Sequence, residues 1–378
     1  MKIDKFLGIN NVSDPTRLRP GEMVAATDVD IGSRGTLLSR RGRTVLQAGA
    51  AHSVFKAPFG VFAVVDNDLL LFDANGALLR TVYNTIGYTR VWYTLLPDGR
   101  VGFSNGLING LATLTATSAW GVPMPDDAGT GIDGDTPYMI TYVRSSDGLE
   151  GPPRYGTKIS TTETIIGLPT RAGYTINIYF APYGDEMYLA GNTSDDSFLH
   201  DGGALGVQHI GRGLGTPPAG TLLHAWNSRV LIVDGQTIWA TRPLQPELCD
   251  FTQDFLQMPA AVTLLYGNGD GLFVGTTDGM YFLAGQVLAE LKAQPVASGA
   301  VVLGSGVEIP LNYLNEKVRP SGLLQGALCL IDGAVHLIYG AGNVLGLTTS
   351  FYRAETVQEV HATFRVRDGV GQYLAAPL

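Results

Sequence analysis

Short apolar runs rich in Val, Ile, Leu and aromatic residues alternate along most of the chain with clusters of Asp, Asn, Gly and Pro. That rhythm predicts strands joined by tight turns, and helical patterning is scarce. The stretch VFAVVDNDLLLFDANGALLRTV, 61–82, reads as three strands separated by Asp66-Asn67-Asp68 and Asn75-Gly76 turns. RVWYTLLPDGRVGFSNG, 90–106, continues the meander through a Pro97-Asp98-Gly99 turn. The same phrase returns in RVLIVDGQTIWAT, GLFVGTTDGMYFLAG and ALCLIDGAVHLIYG, with turns at Asp234-Gly235, Asp278-Gly279 and Asp332-Gly333, 44 and 54 residues apart. This spacing is close to the roughly 40–50 residues of a four-stranded propeller blade. On that plan VLIV and CLI are expected to be inner strands near the axis. An antiparallel sandwich also contains hairpins with Asp-Gly turns and is the alternative architecture.

The middle of the chain breaks the rhythm. MPDDAGTGIDGDTP, Met124 to Pro137, reads as a solvated linker because Pro, Gly and Asp dominate it. Beyond it lie further strand-like runs, ending in a long alternating one that places Tyr174, Ile176, Ile178 and Phe180 on one face. The order IIGLP, GYTINIYFA, MYLAG resembles a fibronectin type III-like sandwich, which the resemblance places as an insertion of about 80 residues between blades.

Length and composition bound these readings. A chain of 378 residues exceeds the usual size of one core, and 49 Gly with 20 Pro suit many turns. The net charge is −9, yet the first fifty residues hold eight basic and five acidic side chains, leaving a local −12 in the rest. An acidic body repels nucleic acid, so ordinary DNA binding is excluded. Cys249 and Cys329 have no metal-ligand spacing and are expected to be buried small hydrophobes. The opening MKIDKFLGIN lacks an apolar core, and no window reaches the ~18 uninterrupted apolar residues of a helical span, so a cytoplasmic site of synthesis is expected.

Candidate chemistry is thin. GTGIDG, 129–134, has the dinucleotide-binding glycine spacing without the flanking strand and helix that give it meaning, and GRGLGTPP lacks the Lys-Ser/Thr of a phosphate loop. His52, His200, His209, His224, His336 and His361 include no H-E-x-x-H pair, and no serine lies in G-x-S-x-G. Asp126, Asp127, Asp133 and Asp135 have oxygen ligands for calcium without the ordered spacing of an EF-hand, and read better as linker. Trp92, Trp120, Trp226 and Trp239 are expected in blade packing, with a sugar-stacking platform as the other reading. No catalytic, cofactor-binding or metal residue is assigned, and no cofactor is expected.

FLGINNVSDPTRLRPGEMVAATDVDIGSRGTLLSRRG, Phe6 to Gly42, resembles the amino-terminal signature of tail-hub and packaged-DNA-stabilisation proteins of short-tailed bacteriophages, through GINN, DP.RL.PGE, A.DVDI and G.L..R.G. The resemblance implies a virion tail nozzle: a ring of six copies below the portal and adaptor, which retains and conducts double-stranded DNA and carries tail fibre or plug proteins. It implies a propeller body decorated by smaller β-domains, with no catalytic residues. Arg34, Arg40, Arg41 and Arg43 form a basic knot with three readings: a solvated turn, a contact with an acidic face of the adaptor or a neighbouring subunit, or a DNA contact.

The sequence therefore predicts an all-β chain, a β-propeller of about 5–6 blades with an inserted fibronectin type III-like β-sandwich. Residues 1–50 are expected to form a strap with a closing strand, 51–130 the first part of the propeller, 131–212 the insert and 213–378 the second part. Ring closure is expected from TLLSRRG, anchored by Leu37 and Leu38, lying beside HATFRVRDG or GQYLAAPL. The competing function is a carbohydrate-binding or glycoside-processing propeller with paired carboxylates across its channel.

Overall fold

A computed structural model of the chain describes all residues except 1–6, 27–28, 32–35, 40–47, 161–163, 183, 212, 315–318, 356, 368–369 and 378. Among the described residues, five antiparallel meanders of four strands follow one another around an axis, the third extended to a six-stranded sheet by Leu214–Gly215 and Phe255–Gln257. The first blade comprises Ala51–Ala57, Gly60–Val65, Asp68–Phe72 and Leu78–Tyr83, and the second Trp92–Leu95, Val101–Ser104, Asn109–Ala112 and Thr117–Ser118. The third comprises Leu222–Trp226, Arg229–Asp234, Thr237–Arg242 and Gln245–Asp250, and the fourth Val262–Gly267, Gly271–Thr276, Gly279–Ala284 and Ala293–Ser298. Val307–Pro310, Gln325–Ile331, Ala334–Tyr339 and Asn343–Gly346 make the fifth. The turns foreseen at Asp66, Asp98, Asp234, Asp278 and Asp332 all connect neighbouring strands of a blade. The fold is a β-propeller.

The first strand of each blade lies nearest the axis: Leu222–Trp226 packs against both Trp92–Leu95 and Val262–Gly267, and Ala51–Ala57 packs against Trp92–Leu95. VLIV and CLI, expected there, instead belong to second strands, Arg229–Asp234 and Gln325–Ile331. The reason is coverage. A second strand is paired along both edges and roofed on both faces by adjacent blades, so Val101–Ser104 and Gly271–Thr276 are buried throughout, whereas the first strands Ala51–Ala57 and Trp92–Leu95 keep exposed positions. Each Leu or Phe buried in this way contributes about 1.5–3 kcal/mol. Trp120 and Trp226 are buried between blades, and Cys249 and Cys329 are buried thiols whose pKa is pushed up to about 12 by loss of water.

After the fifth blade, Val360–Arg367 and Val370–Pro377 form an antiparallel hairpin. It adheres to that blade: Phe364 and Tyr373 pack on Ile309, Leu328 and Leu337, and the Tyr373 hydroxyl donates to the Ser305 carbonyl at 2.7 Å. Among the described ladders Leu37–Ser39 pairs with Val29–Ile31, and the two carboxy-terminal strands pair with each other. Hairpins of this kind need only short loops closed, the entropically cheaper route. The amino-terminal segment docks by another residue. Asn11 donates through Nδ2 to the Arg353 carbonyl at 2.7 Å, accepts the Arg353 N–H at 3.0 Å, and its own N–H reaches the Phe351 carbonyl at 3.0 Å.

Between the second and third blades lies a two-sheet insert. One sheet runs Arg154–Tyr155, Tyr138–Arg144, Tyr174–Phe180, Tyr188–Thr193, and the facing pair is Thr164–Ile166 with Ser197–Leu199. Ile176, Ile178 and Phe180 point into a shared core with Tyr138, Ile140, Ile159 and Ile165, as the alternation required. The segment read as a linker is partly structural: Ala128 is in that core, Thr130 bridges Ile166, and Asp133–Thr136 is a strand. Its Gly and Asp content misled because the backbone supplies the pairing and one small Ala the burial.

Candidate functional site

Arg34, Arg40, Arg41 and Arg43 lie outside the described residues; the hairpin of Val29–Ile31 with Leu37–Ser39 flanks the first of them. The described chemistry gathers at three other places: the axis, the seam where the last hairpin meets the first blade, and the junction that seats the insert.

At the axis, inner strands enclose a cavity of about 190 Å³ lined by Trp92, His224, Thr263, Tyr266 and Glu308 among others. His224 Nε2 accepts the Gly267 N–H at 3.0 Å, which assigns the ring proton to Nδ1. One ring edge opens on the cavity, but the rest is enclosed, and this loss of water lowers its pKa to about 4. Tyr266 is pushed up to about 12 by burial and by the neighbouring Glu308 carboxylate. Glu308 is the single carboxylate among the described lining residues. Among the described residues no group of three His, Cys, Asp or Glu side chains converges as a metal site would require.

At the seam, Arg90 does most of the joining. Its Nη1 donates to the Val360 carbonyl at 2.7 Å and meets Glu359 Oε1 at 3.2 Å, while its guanidinium lies 3.8 Å from the centre of the Trp92 ring. Gly304 makes room for this reach: it has φ +75°, and a Cβ there would stand 2.0 Å from Arg90 Nη1 and 2.3 Å from the Val360 carbonyl. Ser53 Oγ accepts the Val91 N–H at 2.9 Å and lies 2.7 Å from His52 Nδ1. His52 Nε2 and His361 Nε2 are buried without a hydrogen-bond partner among the described residues. Burial, then the Arg90 charge, then His52, lower the His361 pKa to about 4; burial lowers that of His52.

At the insert junction every charge has a partner. Buried Glu247 of the third blade takes Arg100 of the second blade at 2.6 Å and Arg144 of the insert at 2.7 Å, while Asp98 and Asp147 take the outer sides of the same guanidiniums at 2.6 Å each. Asp147 and Glu247 hold the Arg144 pKa above its ordinary value. The Trp120 indole N–H donates to the Pro246 carbonyl at 2.7 Å beside them. Within the insert, Glu150 Oε1 accepts from Thr141, from Tyr179 at 2.6 Å and from Asn177 at 3.2 Å.

Sequence reasoning missed Asn11, Arg90, Glu247 and the His52–His361 neighbourhood. Each depends on residues far apart in the chain; Asn11 closes GINN, and the others sit in no motif. The local signal was a polar residue inside an apolar inner strand, at His224 in LLHAW; the strand of His52, AHSVFKA, is mixed and carries none.

No protein-family model matches the chain, and no curated protein matches it. Among solved structures, the BBS1N chain crystallised in complex with ARL6DN has a TM-score of 0.37 at 9% identity, covering 86% of this chain and 88% of that one. The carboxy-terminal WD40 domain of Sif2 gives 0.35 at 12%, covering 82% and 73%, and the Neurospora crassa Pan2 WD40 domain gives 0.33 at 9%, covering 85% and 84%. Superposition at this level carries no statement about function.

Proposed function

We propose that the protein is a structural subunit of the tail nozzle or hub of a short-tailed bacteriophage, acting as one of six copies in a ring that continues the portal and adaptor channel. The observation that carries this reading is that the amino-terminal signature behaves as a folded unit docked on the propeller. Gly8–Ile9 of GINN pairs in parallel with Glu22–Met23 of PGEM. Asp14 of DP accepts from Thr16 N at 2.9 Å and starts the turn Pro15–Arg17, and Glu22 Oε2 accepts the Arg19 N–H at 2.9 Å. Asn11 then ties this unit to residues 351–353. The signature residues thus form one fastening, as a docking element in an assembly subunit requires.

Two further observations support the reading. The net charge of −9 suits a wall past which DNA must slide. The axial cavity of about 190 Å³ is far too small for a duplex whose major groove alone is about 12 Å wide, so DNA passes through the hole of the assembled ring. In this reading the insert is a fibronectin type III-like decoration, the chain is not an enzyme, and the basic knot at Arg34–Arg43 meets the adaptor or a neighbouring copy. A glycoside-processing channel is not favoured, because the described axial lining presents one carboxylate where two are needed.

The test is assembly. Purified protein mixed with the portal–adaptor complex of its phage is expected to add a sixfold ring visible by negative-stain microscopy. Particles lacking the protein are expected to lose packaged DNA. A chain that stays monomeric beside the connector, with particles that keep their genome without it, overturns the reading.

A further inference from the structure

Among the described residues, the seam brings two unpartnered buried imidazole nitrogens to one junction, whereas Asn67 Oδ1, Tyr93 OH and Thr263 Oγ1 are unpartnered hydroxyl or amide oxygens. Buried polar side-chain atoms are normally hydrogen-bonded, and exceptions point to an unrecorded partner. Here two such atoms, His52 Nε2 and His361 Nε2, belong to imidazoles on neighbouring elements of one junction. Arg90 fixes that neighbourhood: its Nη1 holds the Val360 carbonyl, one residue from His361, while Val91 beside it holds Ser53, one residue from His52.

Ser53 Oγ accepts from Val91 and lies 2.7 Å from His52 Nδ1, so that nitrogen of His52 is engaged and Nε2 is the one left without a partner among the described residues. His361, crowded by Arg90 and His52, gains most from a ligand of negative charge. The charged and titratable groups facing one another are His52 from Ala51–Ala57, Arg90 from the loop before Trp92–Leu95, Glu359 from the segment before the last hairpin, and His361 from Val360–Arg367. Glu359 balances Arg90 alone. A cation would meet the guanidinium, and the described residues offer no group of three ligands for a metal.

We propose that the seam between the first blade and the carboxy-terminal hairpin binds a small oxyanion of the phosphate class, held by the Nε2 positions of His52 and His361 beside the Arg90 guanidinium. The anion bridges blade and hairpin, so it adds to the Arg90 contacts with the Val360 carbonyl and Glu359 that fasten the hairpin there. Binding strengthens as the imidazoles take up protons. This inference stands apart from the nozzle reading, since a chain that forms no ring with the connector leaves it untouched.

The experiment uses the full chain and inorganic phosphate as probe. Histidine-ring NMR titrations run from pH 4 to 8 with phosphate or with chloride at equal ionic strength. Phosphate is expected to raise the apparent pKa of the His52 and His361 rings by about one unit, with His336 unmoved. It is also expected to raise Tm at pH 6 by about 2 °C. His361→Asn, with its melting in chloride showing that it folds, is expected to abolish the phosphate response of His52. A short DNA duplex forms the second arm. A response to free phosphate assigns the site to a free oxyanion, and a response to the duplex alone assigns it to a nucleic-acid phosphate. Wild-type rings that titrate identically with phosphate, duplex and chloride overturn the proposal, and because that reading needs no variant, misfolding of His361→Asn leaves it decisive.

Discussion

Two junctions hold this propeller's parts together with charge, and they do so differently. At the insert, Glu247 lies between Arg100 and Arg144, and Asp98 and Asp147 close the outer sides, so each charge is matched. At the seam, one arginine has one carboxylate, and two imidazoles beside it have buried nitrogens without partners among the described residues. Burying a charge or a polar group is tolerable only when it is paired. The matched junction is therefore self-sufficient and fixes the insert to its neighbours. The unmatched one has chemistry left over, which is what a ligand site looks like before its ligand is considered.

The strongest way to break this contrast is at Glu247. Glu247→Ala removes the carboxylate shared by two guanidiniums, each of which keeps one partner in Asp98 or Asp147, and the loss of two charge-assisted hydrogen bonds is expected to destabilise the chain by about 3 kcal/mol in urea unfolding; a loss under about 1 kcal/mol would place the network with ordinary surface pairs. Acid comes next. His224 has a folded pKa of about 4 against 6.5 unfolded, so the unfolded chain binds more protons between those values. Stability is complete above pH 6.5 and falls by about 3 kcal/mol as pH drops to 4. His361 adds a smaller loss over the same window because water reaches part of it. Melting curves across this range check the sign, and phosphate is expected to relieve the share of His361 and leave that of His224.

A smaller effect is expected at the fastening of the amino-terminal unit. Asn11→Ala removes two side-chain hydrogen bonds to Arg353 and should lower stability by about 1–2 kcal/mol, with faster proteolysis before residue 26 as a second readout. The smallest change carries the opposite sign. Leu244, 76% exposed, holds φ +60° in the turn after Pro243, a place where glycine is unstrained. Leu244→Gly should stabilise the chain by about 1 kcal/mol. A destabilised variant would mean that the exposed leucine packs on something its present surroundings do not show.

What could be read in advance was local. Asp-Gly turns are written in adjacent residues, so the meanders were legible, and the alternation from Tyr174 to Phe180 declared its buried face. Radial order was not legible, because VLIV and CLI are apolar for a reason set by neighbouring blades. Glycine and aspartate in 124–137 concealed a strand whose pairing is made by backbone atoms. Asn11 and Arg353 stand 342 positions apart, and Arg90 and Val360 stand 270 apart, so neither contact leaves any trace in a window of sequence. The basic knot at 34–43 was conspicuous in composition, yet the described chemistry lies elsewhere.

The insert leaves the ring after Trp120 and returns at Leu214–Gly215, which adds itself to the outer edge of Gln245–Asp250. Departure and return thus share one rim, and the blades on either side meet through their own inner strands. A module held in this way behaves like a tool in a chuck. It can be exchanged for another of different size, by evolution or by an engineer, while the wheel that carries it keeps its shape.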